Sequence, residues 1–203
     1  MQKTKQQESY SASTIISGAF EHVGIFGSRH LSETVLSNIY HFSRALCMSG
    51  SRIASGGALG ADSAALAAAV SLSVPALVYL PGRISQVPRG QAGAPWTSPA
   101  AIIRALPSAY VIEYGGGAAD TFPQRCVRRS AALIRHLAAM PDRSAVCIFI
   151  SMSSYRAQQG GSWHEIQTAR SAGFILGQSL FIFVCRNNSI RALSKCGMTD
   201  TLY

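Results

Sequence analysis

The chain has 203 residues, of which 48% are hydrophobic and 13% charged, so its composition is that of an ordered globular protein and excludes a disordered one. Eighteen Lys and Arg residues oppose nine Asp and Glu residues, giving a formal net charge of +9, and the only lysines are Lys3, Lys5 and Lys195. Because arginine suits bidentate contacts with phosphate, this excess favours a nucleic acid or an anionic nucleotide as partner over a generically basic surface.

The cysteines and the apolar segments indicate the compartment. The five cysteines are odd in number and never form a CxxC pair, which favours a reducing compartment and excludes a structural zinc site. Residues 1–13 contain no apolar core typical of a signal peptide. The longest apolar stretch, residues 61–81, contains Asp62 and Pro75 and is predicted to be a helix and a strand, not a membrane span. We therefore expect a cytoplasmic protein with no membrane association.

Apolar runs and helical spacings alternate along the chain. Residues 1–18 are polar and are predicted to form a loose tail. Short buried strands are predicted at 22–27, 52–55, 75–80, 110–114, 146–150 and 180–185. Helices are predicted at 32–48, 61–72, 98–106, 123–140 and 162–172. Fully apolar strands separated by helices are typical of a parallel sheet covered on both faces.

The predicted fold class is therefore α/β: a single doubly wound, mostly parallel Rossmann-like sheet with helices on both faces. We expect this domain to span residues 19–186, with residues 187–203 as an ambiguous C-terminal tail. In such folds, ligands bind beyond the carboxyl ends of the strands, so the loops at that edge are the candidate sites.

The first such loop is Gly27-Ser28-Arg29, directly after the first strand. A glycine permits close approach, Ser28 can donate a hydrogen bond and Arg29 can bind a phosphate. An ordinary turn with an exposed arginine is the alternative.

The second loop follows the second strand and contains Ser55, Gly56, Gly57 and Gly60. Glycines at the start of a helix leave backbone N–H groups accessible to an anion. The spacing is neither the dinucleotide fingerprint nor a Walker A loop, so we predict no NAD and no other cofactor. Asp62 is either a first-turn partner of the helix dipole or a ligand contact.

The third candidate is the helix that begins near residue 123. Its basic residues fall within an arc of about 120° on a helical wheel: Arg125, Arg128, Arg129, Arg135 and His136. No acidic residues are interleaved with the arginines, so they repel one another unless an anion binds. A solvated surface face is the alternative.

The fourth loop is Gly160-Gly161-Ser162, which leads into a helix and offers N–H and hydroxyl donors. His164-Glu165 resembles the start of a zinc protease motif, but no second histidine follows at the needed spacing, so we predict no metal site. Glu165 is either a general acid or base, or a first-turn dipole partner.

Together these loops resemble the DNA-processing protein A (DprA, also called Smf) family. SGGALGADSAA at 55–65 resembles its SGxAxGIDxxAH motif, and GSR at 27–29 also matches. EYG at 113–115 with FPQR at 122–125 is similar to EYPPG…FPxRNR. Gly161-Ser162 with Thr168-Ala169 and Gly173 is similar to GSxxTAxxA…G. The motifs keep their order across residues 22–185.

The resemblance implies a Rossmann-like fold that binds single-stranded DNA in a basic pocket and assists a RecA-type recombinase. It carries over the following positions: Gly27, Ser28, Arg29, Ser55, Gly56, Gly60, Asp62 and Arg125. Two departures stand out, because Leu66 replaces a histidine and Cys126-Val127 replaces the final Asn-Arg of RNR. Arg128 or Arg129 is the candidate substitute for that arginine. Relatives commonly dimerise, so a homodimer is an option.

The sequence leaves a second function open. The wider Smf/DprA–LOG (SLOG) superfamily includes nucleotide-binding sensors and nucleoside-monophosphate hydrolases of the N-glycosidase type, which show PGGxGTxxE. Here the region reads QQGGSWHE, without the threonine and with the glutamate two positions early, which counts against hydrolysis. A non-enzymatic protein that binds nucleic acid is the preferred hypothesis, and a protein that acts by binding other proteins is a third.

Overall fold

The computed structural model describes residues 19–83, 94–107, 110–113, 120–140, 143–194 and 197–201. The described residues form these strands: β1 His22–Gly27, β2 Arg52–Ser55, β3 Ala76–Leu80, β4 Tyr110–Glu113, β5 Ser144–Ser151, β6 Leu180–Arg186, β7 Ser189–Ser194 and β8 Gly197–Thr201. They form these helices: α1 Glu33–Met48, α2 Ala61–Ser71, α3 Pro99–Ala105, α4 Phe122–Ala138, α5 Met152–Ala157 and α6 Gly161–Ser171.

All eight strands belong to one sheet with the order β4-β3-β2-β1-β5-β6-β7-β8. Neighbouring strands from β4 to β6 pair in parallel, whereas β7 and β8 add an antiparallel edge. The predicted doubly wound, mostly parallel α/β fold is confirmed. The sequence predicts only a tail at 187–203, but residues 189–194 and 197–201 extend the sheet, and the sequence gives no sign of α5.

The central strands bury side chains on both faces, as their apolar runs predict. In β1, Val23 and Ile25 pack with α1, α2 and α3, whereas Phe26 packs with α4 and α6 on the other face. Ile148 and Ile150 of β5 join Phe26 in that second cluster, and all five side chains are fully buried. The domain is thus a three-layer α/β/α sandwich whose core lies on either side of β1 and β5.

Helix α2 explains the alanine-rich stretch that follows the second loop. Its residues from Ala61 to Ala69 are all buried, so the helix is enclosed on every side. Small side chains let α2 pack closely against the sheet and against α1 and α3. The alanines therefore hold the start of α2 rigidly at the carboxyl edge of the sheet.

The direction in which successive strands are added to the sheet reverses between β1 and β5. Strands β2, β3 and β4 lie on one side of β1, and β5 and β6 lie on the other. Open α/β sheets bind ligands beyond the carboxyl ends of the two strands that flank such a switch point. The topology therefore directs attention to the loops that follow Gly27 and Ser151.

Within the described ranges, no helix combines the length and the hydropathy that a membrane span requires.

Candidate functional site

A crevice of about 580 Å³ lies beyond the carboxyl ends of β1 and β5. Its walls come from the β1–α1 loop, the start of α2, the first half of α4, the end of β5 with α5, and the first turn of α6. It brings together eight of the residues proposed from the sequence: Gly27, Ser28, Arg29, Asp62, Arg129, Gly161, Ser162 and Glu165.

The other proposed residues lie around this crevice and not in its lining. Gly56 and Gly57 line a smaller adjoining cavity of about 90 Å³, next to Leu59, Pro81 and Phe122. Ser55 and Gly60 are buried beneath the loops. Arg125 and Arg128 lie on α4 outside both cavity walls. Tyr114 and Gly115 of the EYG segment lie outside the described residues.

Ser28 fastens the two strands of the switch point together. The Ser28 N–H donates to the carbonyl of Phe149 at 2.8 Å, and the Ser151 N–H donates to Ser28 Oγ at 3.0 Å. A Cβ at Gly27 would collide with the Phe149 carbonyl oxygen, which explains the glycine before it. The GSR loop thus joins β1 to β5 and presents Arg29, which is exposed, at the crevice mouth.

The glycine turn at 55–60 binds the protein's own carboxylate. The N–H groups of Gly56 and Ala58 donate to Asp62 Oδ2 at 3.1 and 3.4 Å, and Arg129 Nη1 lies 3.4 Å from the same oxygen. The side chains of Asp62 and Arg129 are only 4% and 5% exposed. The Gly56 N–H, expected from the sequence to be accessible to an external anion, is therefore already occupied.

Two glycines of this turn make room for other parts of the protein. A Cβ at Gly56 would coincide with the guanidinium of Arg129. Gly60 has a φ of +90°, and a Cβ there would meet the Arg29 Cα at 2.7 Å. The first lets an arginine cross the turn, and the second lets the β1–α1 loop lie against the start of α2.

The positive charges of the arginines on α4 are neutralised by more acidic partners than the sequence suggested. Arg128 Nη1 lies 2.7 Å from Asp120 Oδ2, and Arg129 is paired with Asp62. The expectation that these arginines lack acidic partners is wrong for both, because the carboxylates come from outside the helix. Arg125 lies 5.9 Å from the centre of the Phe122 ring, a cation–π geometry.

Glu165 places a second carboxyl group in the crevice wall. Ser130 Oγ donates to Glu165 Oε1 at 2.9 Å, while Oε2 is buried without a hydrogen-bond partner among the described residues. Burial and the negative charge of Asp62 raise the pKa of Glu165 to about 8, against the opposing effect of Arg129. Burial also raises the pKa of Asp62, and the Arg129 guanidinium opposes that rise. At neutral pH the Glu165 carboxyl is therefore protonated.

The crevice is rich in hydroxyl groups that sequence reasoning missed. Ser151 Oγ donates to Ser154 Oγ at 3.0 Å and lies 3.2 Å from Ser153 Oγ. The helical wheel places Ser130 on the apolar side of α4, so nothing in the sequence marks it as a site residue. A sequence signal was present for Ser151, Ser153 and Ser154, because SMSS at 151–154 directly follows a predicted strand at the carboxyl edge of the sheet.

The start of α6 is the open part of the site. A Cβ at Gly161 would have no heavy atom within 4 Å, whereas Ser162, the next residue, is only 7% exposed. The first turn of a helix carries unpaired N–H groups and the positive end of the helix dipole. With Arg29 in the lining of the same crevice, the arrangement can bind a phosphate group. Within the described residues, no cluster of three or more His, Cys, Asp or Glu could hold a metal ion.

Comparison with known families agrees with this architecture. Residues 12–96 match the sequence model of the DNA recombination-mediator protein A family. This match covers less than half of the chain and supports a DprA-like protein. The match supports a role in DNA processing and recombination. No curated protein matches the sequence.

The match divides the crevice into two parts. Within the matched residues lie β1, β2, β3, α1 and α2, and therefore Ser28, Arg29 and Asp62. Outside them lie α4, β5, α5 and α6, which contribute Arg129, the serines and Glu165. One wall of the crevice is thus built from residues inside the match and the other from residues beyond it.

Proposed function

We propose that this DprA-like protein binds single-stranded nucleic acid through its phosphates, at the crevice between β1 and β5, and does so without catalysis. The observation that carries the proposal is that an exposed arginine, Arg29, and the open start of α6 line the same crevice at the switch point of the sheet. Serine hydroxyls line the space between them and can donate to phosphate oxygens.

The net charge of +9 supports the same proposal, because it favours the approach of any polyanion. The arginines of α4 that line neither cavity, Arg125 and Arg128, extend a basic surface from the crevice along the helix. In this function the crevice holds one phosphate, and α4 follows the backbone of the neighbouring nucleotides.

The test is a titration of fluorescently labelled single-stranded oligonucleotides from 50 to 200 mM salt. We expect submicromolar binding that weakens steeply with salt, because bound phosphates release counterions. Arg29→Ala should weaken binding to every sequence alike and reduce the salt slope by about 0.7. The matched control is Arg52→Ala, an exposed arginine at the amino end of β2, at the opposite edge of the sheet. Binding that is insensitive to salt, or an equal loss in both variants, would contradict the proposal.

The basic surface of α4 has its own test. Arg125→Ala combined with Arg128→Ala should weaken binding to all sequences by less than Arg29→Ala, because both side chains lie outside the crevice and Arg128 already pairs with Asp120. A loss confined to particular sequences would indicate base contacts instead.

A second candidate function is the binding or hydrolysis of a free nucleoside monophosphate, and the position of Glu165 in the crevice favours it. Aligned on the first residues of α6, Gly161-Ser162-x-x-Glu165 keeps the spacing of the GTxxE part of the hydrolase motif. The glutamate falls two positions early only when Gly160-Gly161 is aligned with the first two glycines of that motif. Release of free base, lost in Glu165→Gln, would establish hydrolysis and overturn the non-enzymatic proposal.

The partners follow from the family match as proposals. We propose that the bound strand is passed to a RecA-type recombinase, that the protein acts in the cytoplasm and that it forms a homodimer. Faster assembly of recombinase filaments on DNA coated with this protein would support transfer to the recombinase. A dimer mass in light scattering would support the homodimer. A monomer at every concentration would contradict the dimer.

A further inference from the structure

We propose that Glu165 is a hydrogen-bond donor to the anionic group held in the crevice, so that binding takes up a proton and weakens as the pH rises above neutrality. This inference rests on the proposed function, since it concerns the same crevice, but it assigns a chemical role that phosphate binding alone does not require.

The geometry leaves one carboxyl oxygen without a partner in the described structure. Ser130 Oγ donates to Glu165 Oε1, so that oxygen acts as an acceptor. Oε2 is buried and makes no hydrogen bond within the described residues, although Glu165 lines the crevice. A buried polar atom without a partner is costly, and native proteins seldom leave one unless a ligand or water satisfies it.

The charges around Glu165 decide which form of the carboxyl group is present. The carboxylate of Asp62 on α2 acts on it electrostatically, as does Arg129 of α4, the buried cation that is paired with Asp62. Arg29 approaches from the β1–α1 loop, and His164 on α6 and His30 also line the crevice. Arg129 is already paired with Asp62, so an ionised Glu165 would be a second carboxylate sharing one buried cation.

Burial and the negative charge of Asp62 raise the pKa of Glu165 to about 8, so the carboxyl is protonated at neutral pH and the excess of negative charge is avoided. Since Oε1 accepts from Ser130, the proton belongs on Oε2, the oxygen without a partner. A carboxylic acid O–H on Oε2 needs an acceptor, which a phosphate oxygen bound against Glu165 in the crevice supplies. An ionised carboxylate in the same place would repel that phosphate. The occupant is therefore an anion with acceptor oxygens, and not a cation.

The experiment is the affinity for a labelled oligodeoxyadenosine between pH 7 and pH 9 at constant ionic strength. Adenine does not titrate in this range, and all proteins carry Cys126→Ser, which removes a thiol from the crevice lining. With Glu165 present, affinity should fall towards tenfold per pH unit above about pH 8, because one proton is linked to binding. With Glu165→Gln, which keeps a donor in place, affinity should stay within about twofold across the range.

Proton uptake provides a second measurement that needs no substitution at Glu165. Calorimetric titrations at pH 8.5 in two buffers with different ionisation enthalpies should reveal uptake of most of one proton upon binding. A merely structural Glu165 would leave the heats independent of the buffer.

The outcomes separate the inference from the proposed function. Binding at pH 7 with the same pH dependence with and without the Glu165→Gln substitution, or with no proton uptake, would overturn the inference alone. Binding by Glu165→Gln that is more than tenfold tighter at pH 7 would also overturn it, because it would show an ionised carboxylate at neutral pH. Absence of binding at every pH would reject the proposed function itself.

Discussion

Two glycine turns lie at the same edge of the sheet and are used in opposite ways. The first turn, residues 55–60, is filled by the protein, because Asp62 accepts its N–H groups and Arg129 crosses over Gly56. The second turn, residues 160–162, is open, since nothing lies near Gly161 on the side where a Cβ would be. Glycine in such a turn therefore indicates that something approaches the backbone closely, but not whether it is ligand or protein.

The largest expected effect is on stability, and it should differ between substitutions in the two turns. Gly56→Ala would place a methyl group in the space of the Arg129 guanidinium and leave Asp62 buried without its cation. We expect a loss of about 3–5 kcal/mol in the free energy of unfolding, measured by urea denaturation. Gly161→Ala is the matched control and should change stability by less than about 0.5 kcal/mol. Equal losses would show that both turns are packed.

The ion pair under the first turn should behave as one unit. Arg129→Met and Asp62→Asn should each destabilise the protein, because each leaves a buried polar group unpaired. The double variant should lose less than the sum of the two, by about 0.5–3 kcal/mol, because residues in one ion pair are coupled. Denaturation of the four proteins of the cycle measures this coupling, and additive losses would exclude it.

Glu165, on the helix that follows the second turn, should destabilise the folded protein as the pH rises, whereas the Asp62–Arg129 pair stabilises it. Its pKa of about 8 in the folded protein exceeds the ordinary 4.5, so the folded state keeps a proton that the unfolded chain releases. Stability should therefore fall as the pH rises from about 4.5 to about 8, and Glu165→Gln should remove that loss. The gain in Tm of the variant over the natural protein should be larger at pH 8 than at pH 5. An equal difference at both pH values would show that Glu165 ionises normally.

The smallest expected effect is on the rate of cysteine alkylation, at a residue that lines both cavities. Cys126 is half-buried and lines both cavities, whereas Cys47, Cys147 and Cys185 are buried. Burial raises the pKa of the Cys47 thiol to about 11 and that of Cys185 to about 12, which makes them unreactive. Peptide mapping after brief alkylation should find Cys126 modified before these three, and bound oligonucleotide should slow its labelling severalfold. No protection would place the ligand elsewhere.

Much of the fold was predictable because its signals are local. The apolar runs of the six parallel strands and the spacing of the long helices mark elements that bury their side chains in the core. The hairpin of β7 and β8 and the six-residue α5 escaped prediction for a physical reason. An edge hairpin and a helix with no buried residues carry little of the apolar pattern that reveals an element.

The site was predictable in position but not in detail. The rule that ligands bind beyond the carboxyl ends of parallel strands located the loops at Ser28 and Ser162. It could not show that Arg129 occupies the first turn, because Arg129 lies 67 positions along the chain from its partner Asp62. Nor could the sequence show that Ser130 and Glu165 meet, since only the packing of α4 against α6 brings them together.

The bond between the Ser151 N–H and Ser28 Oγ joins residues 123 positions apart in the chain. Closing a loop of this length costs conformational entropy, and on the ribosome the bond can form only after Ser151 has been synthesised. A nascent chain that has produced only the residues matched by the family model holds one wall of the crevice. The nucleic-acid binding that we propose for this crevice therefore requires that β5 and α6 have left the ribosome and joined the sheet.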